Sequence, residues 1–116
     1  MDILLRSTEL YDLDYVLEVE HSDENKAFIA QWERCQHLDI IESATKFHFI
    51  IEDSLKRQLG YIILFDLRIT NQCFYLKRIA VSEKSKGIGR AAIQLLIAKL
   101  KLATNLKLAV VDSNSF

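Results

Sequence analysis

The chain has 116 residues, of which 50% are hydrophobic and 27% charged. That length and balance fit one soluble domain with a core of its own and exclude a disordered chain, which lacks the apolar surface to offset its chain entropy. There is no proline and there are only three glycines, Gly60, Gly87 and Gly89, which excludes collagen-like and proline-rich architectures.

The net charge of −1 conceals a segregation. Residues 1–76 carry 7 Lys/Arg against 14 Asp/Glu, whereas residues 77–107 carry 8 Lys/Arg against the single acid Glu83. The basic part suits an anionic ligand and the acidic part a cationic one. Cys35 and Cys73 make no disulfide framework. The start MDILLRSTEL has no apolar stretch of signal-peptide length, and no run approaches the ~18–20 apolar residues of a membrane span. The expectation is a reduced, cytoplasmic protein without a membrane partner.

In chain order, Ile3–Arg6 reads as a strand. Asp12–Glu20 has helical spacing through Leu13, Val16 and Leu17, with Ser7, Thr8 and Asp12 as N-cap choices. Residues 26–44 read as helical, in one piece or two, with Phe28, Ile29 and Trp32 on one side. Lys46–Glu52 alternates as a strand. Leu59–Leu67 is a nearly continuous apolar strand, expected to be covered on both faces. Cys73–Val81 is a further strand, and two hairpins join the three. Ile88–Leu102 is the clearest helix, and Leu106–Val111 a last strand. The order β-α-α-β-β-β-α-β predicts one mixed α/β domain over residues 1–116, with antiparallel strands followed by one β-α-β crossover.

The informative stretch is RIAVSEKSKGIGRAAIQLL, where a strand ends at Val81 and Gly87-Ile88-Gly89 opens a helix. Backbone N–H groups at a helix start lack intrahelical partners and sit at the positive end of its dipole, so they bind anions, usually phosphate. Glycine lets the backbone approach such a ligand. Lys84, Lys86 and Arg90 add positive charge. The P-loop pattern is absent. Gly87 to Ala92 fits the dinucleotide fingerprint, with Asp112 further on, but five residues separate Val81 from Gly87 and a dinucleotide fold needs more βα units. Cys35, His37, His48 and His21 match no standard zinc spacing, so no metal is expected. One compact phosphate site explains the basic residues better than nucleic acid does.

Lys84-Ser85-Lys86-Gly87-Ile88-Gly89 resembles motif A of the GNAT superfamily of acyl-CoA N-acyltransferases. The wider block LKRIAVSEKSKGIGRAAIQLL looks like that family's fourth strand, pyrophosphate loop and third helix, and ENKAFIAQWER like the second helix of one branch. The resemblance implies a GNAT-like fold with a mainly antiparallel mixed sheet and acetyl-CoA as cofactor. It also implies an N-acetyltransferase acting on a primary amine of a small molecule or protein. It places the pyrophosphate on Lys84 to Gly89 with Arg90 beside them, the pantetheine arm along Ile79, Ala80 and Val81, and a further cofactor contact at Asn114. Asn25, Phe28 and Trp32 fall in the region that lines the acceptor pocket. Where relatives carry a general-base Glu this chain has Tyr75, and Glu33 is the carboxylate that could substitute. Lys84 replaces the usual Arg or Gln, and Ser85 a frequent Gly. From charge alone, Glu18, Glu20, Asp23 and Glu24 form an acidic face that would attract an amine. Relatives continue past the position of Asn114 with a helix and a strand pair, which this sequence lacks. Two readings therefore stay open: an active N-acetyltransferase, or a truncated or degenerate CoA-binding member without catalysis. An unpaired edge on the last strand would suit a homodimer.

Overall fold

A computed structural model describes residues 2–22, 25–27, 31–67, 73–83, 86–104 and 108–110. Five strands form one sheet in the order β1-β2-β3-β4-β5. They are β1 (Ile3–Ser7), β2 (Lys46–Asp53), β3 (Gln58–Asp66), β4 (Phe74–Val81) and β5 (Leu108–Val110). The helices are α1 (Leu13–Glu20), α2 (Arg34–Ile41) and α3 (Ile88–Thr104). The first four strands are antiparallel neighbours, and β5 joins β4 in parallel after the α3 crossover. Element order and hairpins are those the sequence predicts.

The sheet is covered on both faces. On one, Leu5, Ile51, Ile62, Leu64, Phe74, Leu76, Ile79 and Val81 pack against Ile88, Ala92, Ile93 and Leu96 of α3. On the other, Ile50, Tyr61, Ile63 and Ala80 meet Val16 and Val19 of α1 and Ile40 of α2. This explains the unbroken apolar run of β3: alternate residues serve different cores.

Two elements differ from the sequence reading. Residues 31–33 lie outside any helix, and α2 begins only at Arg34. A capping box sets that start: the Gln36 N–H donates to the Glu33 carboxylate, and the Glu33 N–H donates to Gln36 Oε1 at 2.7 Å. Helix α1 begins at Leu13, after a short 3-10 turn over Leu10–Asp12. Asp12 does not cap α1 with its side chain; its buried carboxylate accepts bonds from Arg6, Gln58 and the Glu9 N–H.

A bulge marks β4. Ile63 pairs with Arg78 and Leu64 with Leu76, so Lys77 is an extra residue opposite nothing. Phe74 and Leu76 before it, and Ile79 and Val81 after it, all face α3.

Candidate active site

The site grows from the edge of β4. The described part of β5 pairs in parallel with Phe74, Tyr75 and Leu76. Past the bulge, the backbone direction follows from the ladder. The Ser82 N–H donates to the Leu59 carbonyl at 2.9 Å, so Ser82 faces β3. In an antiparallel ladder residues alternate in this respect. Ala80 therefore also turns its backbone groups to β3, and Ile79 and Val81 turn theirs to the opposite edge. Of the three residues expected along the pantetheine arm, Ile79 and Val81 alone face it; Ala80 contributes its buried methyl to the α1–α2 core. Gly60 is required beside this segment, because a Cβ there would lie 2.3 Å from the Ala80 carbonyl oxygen.

The chain then turns into α3. Gly87 adopts φ +76°, a left-handed conformation that favours glycine, and nothing lies within 4 Å of where its Cβ would be. Its carbonyl accepts the Ala91 N–H at 3.0 Å, which makes it the residue that starts the helix. The N–H groups of Ile88, Gly89 and Arg90 thus fall in the first turn, where no intrahelical acceptor exists. The Ile88 side chain is core, so only its backbone can serve a ligand. Gly89 is buried, whereas Lys86 and Arg90 are exposed. Lys86 also lines a cavity of about 440 Å³ shared with Arg57 of the β2–β3 turn. Lys84, Ser85 and Asn114 lie outside the described residues, as does Phe28.

The α1–α2 face of β4 carries the other candidates. Tyr75 is half-buried and stacks on Phe65, with ring centroids 6.0 Å apart. Glu33 is exposed, and its carboxylate is engaged as the cap of α2. Trp32 lies over the Arg78 guanidinium at 4.2 Å. Asn25 is fully buried, and its Nδ2 donates to the carbonyls of Val19 and Val81 at 3.0 Å and to Ser22 Oγ at 3.1 Å. Two carbonyls around one atom fix which end of the amide is nitrogen, since a carbonyl only accepts. Its Oδ1 is buried without a partner, a cost of about 1–3 kcal/mol.

Beneath these residues runs a buried polar network that sequence reasoning missed. The Glu20 carboxylate is fully buried and accepts from His37 Nε2 at 3.2 Å, Tyr61 Oη at 3.2 Å, the Trp32 N–H at 3.0 Å and Arg78 Nη1. His37 Nδ1 shares a hydrogen bond with His48 Nε2 at 3.1 Å, and His48 Nδ1 shares one with Thr8 Oγ1 at 2.7 Å, so every ring nitrogen of the two imidazoles has a partner. Burial alone would raise the Glu20 pKa, but the bonds from His37 and the Trp32 N–H, with the charges of His37 and Arg78, hold it below the usual carboxylate range. Burial first, then the electrostatic influence of His37 and Arg78, pushes His48 down to about 3. Glu20 is therefore not part of a surface acidic face. Glu18 is exposed, and Asp23 and Glu24 lie outside the described residues. The signal was present in the sequence: Glu20 shares helical spacing with Val16 and Leu13, which places a carboxylate on an apolar stripe.

A strand that leads into a glycine turn and a helix start suits a ligand with an extended arm and a phosphate end. The sequence matches the Acetyltransferase (GNAT) family over residues 10–115. The chain belongs to that family, whose general chemistry is N-acetylation with acetyl-CoA as donor. No curated protein matches the sequence. Among solved structures, a chimera of the spermidine N-acetyltransferase SpeG from Vibrio cholerae with hSSAT superposes with a TM-score of 0.79. It is 18% identical, and the match covers 95% of this chain and 70% of that one. The Vibrio cholerae spermidine N-acetyltransferase in complex with CoA and spermine gives 0.77 at 18% identity, over 94% of this chain and 70% of that one. A mutant form of the BH1408 protein from Bacillus halodurans gives 0.69 at 14% identity, over 96% and 83%. At such identities the likeness carries the fold. Among the described residues no helix is long and apolar enough to cross a membrane, and no group of three or more His, Cys, Asp or Glu is placed to hold a metal.

Proposed function

We propose that this chain transfers an acetyl group from acetyl-CoA to a primary amine of a small molecule or protein, as a single domain over residues 1–116. The observation that carries the reading is the turn at Gly87 between β4 and α3, where the N–H groups of Ile88, Gly89 and Arg90 lie in the first helical turn without intrahelical acceptors. The residues present fit the cofactor: Ile79 and Val81 turn backbone groups away from β3, and among the described residues nothing lies within 4 Å of a Cβ at Gly87. The N–H groups of Ile88, Gly89 and Arg90 would hold the pyrophosphate, with Lys84, Ser85 and Lys86 alongside and Asn114 on the arm. Acetyl-CoA supplies the acyl group as an activated thioester. The Ile79 N–H, facing the edge, would polarise that carbonyl. The amine would enter over the face that carries Tyr75, Phe65 and Trp32, with Asn25 and Phe28 as further candidate contacts. Tyr75 is the titratable side chain on that face nearest the strand start, and Glu33, engaged as a cap, is the weaker candidate for proton transfer.

Calorimetric titration with acetyl-CoA tests the site: no binding at several hundred micromolar ligand overturns it. A thiol-release assay over an amine panel tests the transfer. Linear polyamines head the panel, because the Vibrio cholerae neighbour is a spermidine N-acetyltransferase. Binding without transfer to any amine would favour the reading of a CoA-binding member without catalysis. In this reading the protein works in the cytoplasm, alone or as a homodimer through the outer edge of β5, which sedimentation distinguishes.

A further inference from the structure

We infer that Asn25 is a positioning residue that sets the register of the cofactor arm on β4, an inference that rests on the function proposed above. The edge of β4 past the bulge presents four backbone groups, the N–H and C=O of Ile79 and of Val81. One of the four is already taken: Asn25 Nδ2 donates to the Val81 carbonyl at 3.0 Å. Asn25 is fully buried, so its amide also fills the space in front of that carbonyl. An arm that pairs like an added strand therefore finds the Ile79 N–H, the Ile79 C=O and the Val81 N–H, and is stopped at the Val81 carbonyl. Strand pairing has no intrinsic register; it slips by two residues unless something fixes it. A slip of that size would carry the thioester away from the Ile79 N–H by roughly 6–7 Å, two residues of strand rise.

A second observation separates this role from simple capping of α1. The same Nδ2 bonds the Val19 carbonyl and Ser22 Oγ, which together would account for a helix-end clip. The amide nevertheless reaches across to β4, and its Oδ1 stays buried with no hydrogen-bond partner among the described residues. A position held against a cost in stability is where functional constraint is expected.

The experiment needs no acceptor. Acetyl-CoA labelled with carbon-13 at the acetyl carbonyl is bound to the wild-type chain, to Asn25→Ala, to the isosteric Asn25→Asp, which lacks the amide donors, and to Ser22→Ala. The carbonyl band is read by infrared difference spectroscopy, and the affinity for adenosine 3′,5′-bisphosphate is measured alongside. The wild type and Ser22→Ala should give one band, shifted to lower frequency by the Ile79 N–H. Both Asn25 variants should give a band split between shifted and unshifted populations, with adenosine 3′,5′-bisphosphate affinity within about twofold of wild type because that ligand has no arm. Thermal melting shows which variants are folded, and either Asn25 variant suffices. One shifted band in a folded Asn25 variant overturns the inference, as does an equal loss of affinity for both ligands. Failure of the wild type to bind acetyl-CoA overturns the proposed function itself.

Discussion

Truncating Glu20 to alanine removes the one carboxylate that faces Arg78, His37, Tyr61 and the Trp32 N–H at once. Arg78 is 7% exposed, so its guanidinium would be left charged with almost no access to water. Breaking a buried pair from one side costs about 3–5 kcal/mol, because the remaining charge is uncompensated. A domain of this size has about 5–15 kcal/mol in total, so the variant would stand near the limit of folding. At about 4 °C per kcal/mol, melting should fall by roughly 12–20 °C. The assay is circular dichroism melting at pH 7, with urea midpoints as a second measure. Arg78→Met alone should lose a similar amount by exposing the reverse imbalance. The double variant should lose less than the two singles summed, by at least ~1 kcal/mol, since neither charge is then stranded. A loss below ~1 kcal/mol in Glu20→Ala, or strict additivity in the double variant, would refute the argument that this pair is coupled and buried.

Four further expectations can be checked directly. His48 has its folded pKa lowered to about 3 from 6.5, so the unfolded chain takes up its proton first as pH falls. Its contribution is complete above 6.5 and is lost as pH falls from there towards 3, by about 1.4 kcal/mol per pH unit. Urea titrations between pH 6.5 and 5 should show this slope, and His48→Asn should flatten it; Glu20 is held below its ordinary 4.5 and adds nothing in that window. Gly87→Ala should cost about 1–2 kcal/mol through backbone strain alone, because the space around its Cβ is open. Gly60→Ala should cost more, since its Cβ meets a backbone oxygen that cannot move without parting β3 from β4; paired melts decide the order. Gly87→Glu should abolish acetyl-CoA binding while the far-ultraviolet spectrum stays that of the folded chain, and unchanged affinity would place the site elsewhere.

The parts of this fold that the sequence made legible are those that local pattern controls. Ile62 and Ile63 alternate between two cores, which the unbroken apolar run of β3 announced. Gly87 before Ile88 marked the helix start, because few residues tolerate that backbone angle. Periodicity reports polarity, however, not partners. Trp32 reads as a helix residue by spacing, yet its N–H is drawn to Glu20 and its ring to Arg78, both distant in sequence. Glu20 reads as solvated because carboxylates usually are; it is buried because donors from α2, from β3 and β4 and from the Trp32 N–H converge on it. The candidate site divides the same way. The glycine turn was visible as a motif, whereas the tie from Asn25 to Val81 spans 56 positions and depends on how α1 ends over β4.

Lys77 gives the sheet one residue of slack. Its neighbours on either side keep the faces they would have in an unbroken ladder, with Leu76 opposite Leu64 and Arg78 opposite Ile63. Deleting it would therefore disturb no core contact and would straighten β4. A straight β4 would also lose the extra local twist that the unpaired residue imposes, so the strand end at Val81 and the Gly87 turn that follows would be aimed differently from the sheet. A single residue in the middle of the strand thus sets the direction in which the start of α3 points.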